Sequence, residues 1–303
     1  KKIIYLAGYG RSGSTILERI IGANKNILAL GELKDFLFLL DSSEEKCSCG
    51  ATLDICSFWN PICNDFKSIN LQKLKKGQLK YESIIGLPHL FFKKNASDRE
   101  EYKKYLEKLF SKIFLNSNNE IKYLTDSSKT ARESFFRPLI LKEINKMQIK
   151  MIHIVKDGRA CLYSNLKGSN RLMEKGINEK LPWAGLRTVI SWPLANLAAH
   201  LFQITSDKKD YFRVKYEDFL EEPEKYLKEL GNYLDVDFSP QIEMINKKKN
   251  IPLSHQIAGN RIRSQENLLL DKNKEVWREK LPWQYRLLFW VFDLPFALFY
   301  KYH

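Results

Sequence analysis

The first residues whose types and spacing could do chemistry are Gly8-Tyr9-Gly10-Arg11-Ser12-Gly13-Ser14-Thr15. They follow a short apolar run at 3–7 and precede Ile16, Leu17, Ile20 and Ile21, which have helical spacing. A glycine loop between strand and helix turns successive backbone N–H groups and a positive helix end toward one anion, so it reads as a phosphate cradle. Gly8, Gly13 and Thr15 match the Walker A spacing G-x-x-x-x-G-K-[ST], but Ser14 stands where the lysine belongs. Losing that lysine removes the contact to the β- and γ-phosphates, which argues against ordinary ATP or GTP hydrolysis. Arg11 supplies a cation from the other side of the loop, and Ser14 and Thr15 offer hydroxyls to a terminal phosphate.

The elements that must position this loop are written in the apolar runs. Met151-Ile152-His153-Ile154-Val155 is a buried-strand run, followed by Lys156-Asp157-Gly158-Arg159 and a helical stretch from Ala160. Weaker strands are expected at 122–125 and 211–216. Helices are expected at 133–147, 184–205 and 223–234, the last with Pro223 in its first turn. Strands separated by helices predict an α/β fold, a central parallel sheet flanked by helices. The 303 residues show no repeat and no low-complexity linker, and read as one domain, 1–303. A hydrophobic fraction of 44% with 28% charged residues excludes a disordered or collagen-like chain. Five cysteines are too few for a disulfide-dense secreted scaffold. Lysine and arginine total 50 against 36 acidic residues, a net charge of +14 that invites a negatively charged partner.

Four segments together resemble the sulfotransferases that use 3′-phosphoadenosine 5′-phosphosulfate (PAPS), notably the carbohydrate, tyrosylprotein and bacterial enzymes. Gly10-Arg11-Ser12-Gly13-Ser14-Thr15 looks like their 5′-phosphosulfate loop. The stretch from Ile154 through Lys156, Asp157, Gly158 and Arg159 to Ser164 is similar to their second signature, whose arginine and serine hold the 3′-phosphate. Here Lys156 takes the arginine position, a point charge in place of a bidentate fork, and Arg159 one turn on is expected to compensate. Val214-Lys215-Tyr216-Glu217-Asp218-Phe219 resembles the segment that places an aromatic ring beside the adenine, which implies that role for Tyr216. Ala258-Gly259-Asn260-Arg261-Ile262-Arg263 resembles the loop that closes over the nucleotide, so Asn260, Arg261 and Arg263 are expected to face it. The resemblance implies a P-loop-like sulfotransferase fold, PAPS as donor with PAP as product, and a hydroxyl-bearing acceptor. Residues 40–120 match it only patchily and read as a variable acceptor-side or lid insertion.

Sulfuryl transfer asks for a base on the acceptor hydroxyl and positive charge on the sulfuryl and leaving oxygens. No metal is required for this, and none is expected. Glu32, 21 residues after Arg11 in Leu30-Gly31-Glu32-Leu33, is the expected base, with Asp35 as the local alternative. Burial against apolar neighbours would raise its pKa, which suits that task. Lys129 in Thr125-Asp126-Ser127-Ser128-Lys129-Thr130 resembles the family lysine that touches the transferring group, with Asp126 to orient it or serve as a second base. Arg11 completes the catalytic set. Among the histidines, His153 reads as a core residue and His255, beside the Gly-Asn loop, is held in reserve.

Cys47, Cys49, Cys56 and Cys63 fall within 17 residues as C-x-C-x₆-C-x₆-C, open to disulfides, zinc or free thiols. The aromatic segment from Trp283 to Tyr302 reads as a helix packed on the domain, with peripheral membrane contact as the minority alternative. No apolar run reaches the roughly 18 residues of a membrane span. A cytoplasmic location is expected, although the chain starts at Lys1 and a removed leader or anchor stays open. The competing functional reading is a P-loop-type small-molecule kinase or other nucleotide-binding enzyme, disfavoured by the missing lysine. A nucleic-acid partner is not expected, because neither a recognition helix nor an aromatic sheet motif is present.

Overall fold

The structure is a computed structural model that describes residues 2–42, 45–88, 97–145, 147–168, 183–268, 270 and 276–302. In chain order the main elements begin with β1 (Lys2–Ala7), α1 (Ser14–Gly22), β2 (Ile27–Leu28), α2 (Leu71–Glu82), α3 (Ser97–Leu115) and β3 (Tyr123–Asp126). There follow α4 (Arg137–Lys142), β4 (Gln148–Val155), α5 (Gly158–Leu166), α6 (Ala184–Ile204) and β5 (Tyr211–Lys215). The described chain closes with α7 (Tyr216–Glu221), α8 (Pro223–Leu234) and α9 (Trp283–Phe299).

The strands form one parallel sheet in the order β2-β3-β1-β4-β5. Central β1 is buried on both faces, as a parallel strand covered by helices must be. Alternation along it separates two cores. Ile3, Tyr5 and Ala7 pack with Trp59, Phe66, Leu106 and Phe110, so the 40–120 segment covers much of one face of the sheet, together with Leu30, Phe36, Ile140 and Phe202. Ile4 and Leu6 pack with Leu17 and Ile20 of α1 and Leu227 and Leu230 of α8.

Because β3 and β4 flank β1 on opposite sides, the chain reverses its winding at the end of β1. Ligands of open α/β sheets bind at such switch points, beyond the carboxyl ends of the strands. The loops after β1, β3, β4 and β5 therefore emerge on one edge, carrying residues 8–13, 127–130, 156–157 and Tyr216.

The four expected strands and the helices at 184–205 and 223–234 are present, with β2 in addition. The expected helix at 133–147 shrinks to α4. Ser134 donates its hydroxyl to the Ser128 carbonyl (2.9 Å) and the Phe136 N–H goes to the Glu82 carbonyl (2.7 Å), which holds the preceding residues in turns. The helix then starts with Pro138 in its first turn. Helix α9 buries Phe289 and Ala297 against the molecule, while Trp283, Leu287, Val291, Phe292 and Leu298 lie exposed. Among the described residues, no helix is long and apolar enough to cross a membrane.

Candidate active site

The loop after β1 is shaped by two close approaches. Gly8 has φ +123, and a Cβ there would sit 2.3 Å from the Ile154 carbonyl oxygen. Gly13 has φ +90, and its Cβ would sit 2.0 Å from the Tyr216 ring, so that ring lies directly on the loop. The Gly8 N–H donates to Thr130 Oγ1 (3.0 Å) and the Thr130 N–H to the Gly8 carbonyl (3.2 Å), zipping the β1 and β3 loops together. Ser14 and Thr15 open α1, where the Gly13 carbonyl accepts from the Ile16 N–H (3.0 Å) and Leu17 N–H (3.1 Å), no side chain caps the start, and the first turn carries no acid. Ser12 Oγ is buried and has no hydrogen-bond partner among the described residues. An orphaned hydroxyl in a glycine loop that opens a helix fits an oxyanion.

Arg11 adopts φ 70, an uncommon left-handed conformation for a residue with a side chain, and donates to the Gly168 carbonyl (2.7 Å). Burial lowers its pKa, and the nearby Arg261 lowers it further. Two guanidinium groups held within mutual repulsion mark a site for negative charge. Asn260 accepts from the Ile262 N–H (3.1 Å), capping its own short turn, and Arg263 is buried 3.7 Å from Glu45.

The central pair is Glu32 and Lys129. The Lys129 ammonium donates to Glu32 Oε1, with both side chains largely buried at 12% and 13% exposure. Lys34 approaches the other carboxylate oxygen at 3.8 Å. Burial pushes the Glu32 carboxyl up, but Lys129, Lys34 and Arg263 outweigh it and hold the group below its ordinary range. The expectation of a raised Glu32 pKa is thereby corrected: neighbouring cations, not apolar walls, set its charge. Asp35 is engaged by Lys34 at 2.8 Å.

Each half of the pair is built in. Gly31 has φ +82 where a Cβ would strike the Ile257 carbonyl at 2.1 Å, and the Glu32 N–H donates to that carbonyl (2.9 Å). Lys129 has φ 64, and its carbonyl accepts from the Tyr5 hydroxyl. Asp126 does not stand free as a base, and it acts on Lys129 through the loop rather than by a bond to its ammonium. Its carboxylate accepts from Ser128 N–H (3.0 Å) and from Arg137 Nε (2.8 Å), and Arg137 also reaches Glu82 Oε1 (2.5 Å). This buried Asp126–Arg137–Glu82 array fixes the loop beneath Lys129.

Beyond β4, Lys156 holds its ammonium 4.5 Å from the centre of the Tyr216 ring, on the same ring that covers Gly13. Burial pushes the Tyr216 phenol up to about 12. Ser164 lies half-buried on α5. Arg159 sits differently from the expectation of a second phosphate cation. Its Nη2 bonds Asp157 at 2.7 Å, and its guanidinium lies over Trp277 (4.6 Å) and Trp290 (5.0 Å). Those contacts anchor the start of α5 to the C-terminal segment.

Two residues that carry the site were missed from sequence. Glu18, fully buried on α1, accepts from Gly31 N–H (2.8 Å), Gln256 Nε2 (2.7 Å) and the Thr125 hydroxyl. Arg19 beside it donates to the carbonyls of Ile251 (2.6 Å), Ile262 (2.9 Å) and Gln265 (2.7 Å). Helix α1 thus presents the phosphate loop at its start and ties down both the Glu32 turn and the 260s loop. The available signal was a charged pair inside an apolar helical stripe. His153 is a core residue, bonded to Tyr211 (2.6 Å) and Asn196 (2.9 Å), with burial lowering its pKa to about 3. His255 faces Cys47 and Cys56. His89 and His303 lie outside the described residues.

A glycine loop at the switch point of a parallel sheet, opening a helix and flanked by cations, defines the class: an α/β protein with a P-loop-like nucleotide-binding fold. The chain belongs to the sulfotransferase family, whose family model matches residues 4–240. Among solved structures it is similar to the sulfotransferase domain from the curacin biosynthetic pathway, at 17% identity over 99% of this chain and 97% of that one, TM-score 0.50. It is also similar to the sulfotransferase domain from the Synechococcus PCC 7002 olefin synthase, at 18% identity over 96% and 94%, TM-score 0.48. Retinol dehydratase, solved in complex with androsterone and inactive cofactor PAP, matches at 13% identity over 97% and 80%, TM-score 0.38. No curated protein matches by sequence.

Proposed function

We propose that this sulfotransferase uses PAPS as donor and a hydroxyl compound as acceptor, with Glu32 and Lys129 at the reacting centre. The observation that carries the reading is the Glu32–Lys129 pair, joined from loops 97 positions apart beside the Gly8–Thr130 contact. PAPS, when bound, supplies the sulfuryl group. The orphaned Ser12 hydroxyl, the first-turn N–H groups of Ser14 and Thr15, and the Arg11 and Arg261 cations suit its 5′-phosphosulfate end. Lys156 and Ser164 suit the 3′-phosphate, and the Tyr216 ring suits the adenine. Asn260 and Arg263 hold the loop that closes the cleft, and Arg159 supports Lys156 through the start of α5.

Glu32, kept ionised by its lysine neighbours, accepts the proton of the acceptor hydroxyl. Lys129 then has a choice of anions. Its ammonium leaves Glu32 for the negative oxygens of the reacting group, and in leaving it restores basicity to the carboxylate. A base held down at rest and released by the charge it must serve is thus coupled to donor binding.

The test is transfer of radiolabelled sulfate from PAPS across pools of glycan, tyrosyl-peptide, lipid and small-metabolite hydroxyls, followed by Glu32→Ala on the accepted pool. Loss of at least about a hundredfold in kcat with PAP affinity intact is expected. Normal turnover by the variant removes Glu32 from the mechanism.

A further inference from the structure

A second cluster of reactive side chains stands outside the transfer machinery. Cys47 Sγ lies 3.6 Å from His255 Nδ1, Cys56 Sγ lies 3.5 Å from the same nitrogen, and the Cys49 and Cys56 sulfurs are 3.6 Å apart. All four donor atoms fall within 4.8 Å of one another. A tetrahedral zinc with Zn–S of about 2.3 Å and Zn–N of about 2.0 Å sets its ligands about 3.8 Å apart for two sulfurs and about 3.5 Å for sulfur and nitrogen. Three of the six separations, 3.5–3.6 Å, match such edges, and the rest lie within 4.8 Å. A disulfide would need two sulfurs at about 2.05 Å and would strand the third thiol and the imidazole.

From this convergence we infer that Cys47, Cys49, Cys56 and His255 form a structural zinc site, three thiolates and one neutral imidazole. Binding releases three thiol protons, and the soft sulfur-rich donor set selects zinc over magnesium or calcium. The first two ligands sit in a tight knuckle. Lys46 and Thr52 pair as an antiparallel bridge, Gly50 turns with φ +90, and the Gly50 N–H returns to the Cys47 carbonyl (2.9 Å). His255 is oriented by stacking on Phe58, ring centres 4.8 Å apart, and its carbonyl accepts from Trp59 Nε1 (2.7 Å). Cys63, one spacing further along, is not part of the cluster.

The ion would join two distant parts of the chain. Ser48 donates to the Gln256 carbonyl (2.9 Å) through its N–H and to the Ser254 carbonyl (2.7 Å) through its hydroxyl. The segment so fixed continues to Ile257, whose N–H and carbonyl bond Leu30 and Glu32. The site therefore buttresses the turn that carries Glu32, with no ligand drawn from Glu32, Lys129 or Arg11.

The test needs no donor or acceptor substrate. The full chain, produced without a metal-affinity tag in zinc-sufficient medium, is measured by plasma mass spectrometry for bound metal. About one zinc per chain is expected, and titration with an organomercurial should release it as three thiols react. Cys47→Ser, Cys49→Ser, Cys56→Ser and His255→Ala should each retain about tenfold less zinc or more, whereas Cys63→Ser retains it. If the ligand variants do not fold, the mercurial release from the unaltered chain decides alone. A chain that holds no zinc and takes up none after reduction overturns the proposal. So does a native mass lower by two hydrogens, the mark of a disulfide, or equal zinc loss in Cys63→Ser.

Discussion

Substituting Gly13 by alanine tests the construction of the nucleotide cleft at its tightest point. The glycine has φ +90, a conformation that costs an L-residue roughly 1–2 kcal/mol. Its Cβ would fall 2.0 Å from Tyr216 Cε2 and 2.3 Å from Cδ2. Carbon contacts settle at about 3.5–4.0 Å, so the ring must retreat by well over an ångström, an overpacking cost of about 1–3 kcal/mol. The two contributions sum to about 2–5 kcal/mol, a large part of a typical stability of about 5–15 kcal/mol. The displaced ring also leaves Lys156, now 4.5 Å away, and uncovers the position proposed for the adenine. Urea denaturation should show the loss, and calorimetric titration with PAP should show affinity at least about tenfold weaker, a penalty of about 1.4 kcal/mol. In a Tyr216→Ala background, which carries its own truncation cost, the penalty of Gly13→Ala should lose the overpacking share and keep the φ share. Stability within about 0.5 kcal/mol of the parent, or an undiminished Gly13→Ala penalty in the Tyr216→Ala background, would refute the reasoning.

Two further outcomes follow from buried charge. Arg137→Met leaves the Asp126 and Glu82 carboxylates buried without their shared partner, and should destabilise by about 3–5 kcal/mol in urea melts; a change under about 1 kcal/mol would contradict the array's role. Asp293 is fully buried in α9 with no partner for either oxygen among the described residues, and burial pushes its pKa from 3.8 up to about 8. The folded state then holds a proton that the unfolded state has lost, so this residue's contribution falls as pH rises from about 4 to about 8. Asp293→Asn should gain stability relative to the parent across that window, and parallel pH curves for the two would falsify the assignment.

How much of this was legible in the sequence depended on range. Residues 8–15 and the strand at 151–155 are local patterns, and the α/β sheet follows from them. β2 is two residues long, too short to leave a pattern. The truncation of α4 depends on Ser134 and Phe136 bonding to Ser128 and Glu82, partners that only the folded chain supplies. The Glu32 and Lys129 positions were found through their resemblance to family motifs, but the sign of the Glu32 shift depends on Lys34 and Arg263 converging from separate loops. The alternating Arg261 and Arg263 read as two equivalent cations; folding exposes one beside Arg11 and buries the other. Cys49 and His255 are 206 positions apart, so no ligand spacing could announce their meeting.

Under the proposed function the cleft at the end of β1 takes a nucleotide carrying a 3′-phosphate, with Lys156 and Ser164 assigned to that phosphate and Arg11 and the α1 start to the 5′ end. Calorimetric titration of the full chain with PAP and with ADP, at the same ionic strength, reads this directly. The arrangement predicts PAP binding at least about tenfold tighter than ADP, with the difference collapsing in Lys156→Ala. Equal affinities for the two nucleotides, or a preference for ADP, would contradict it.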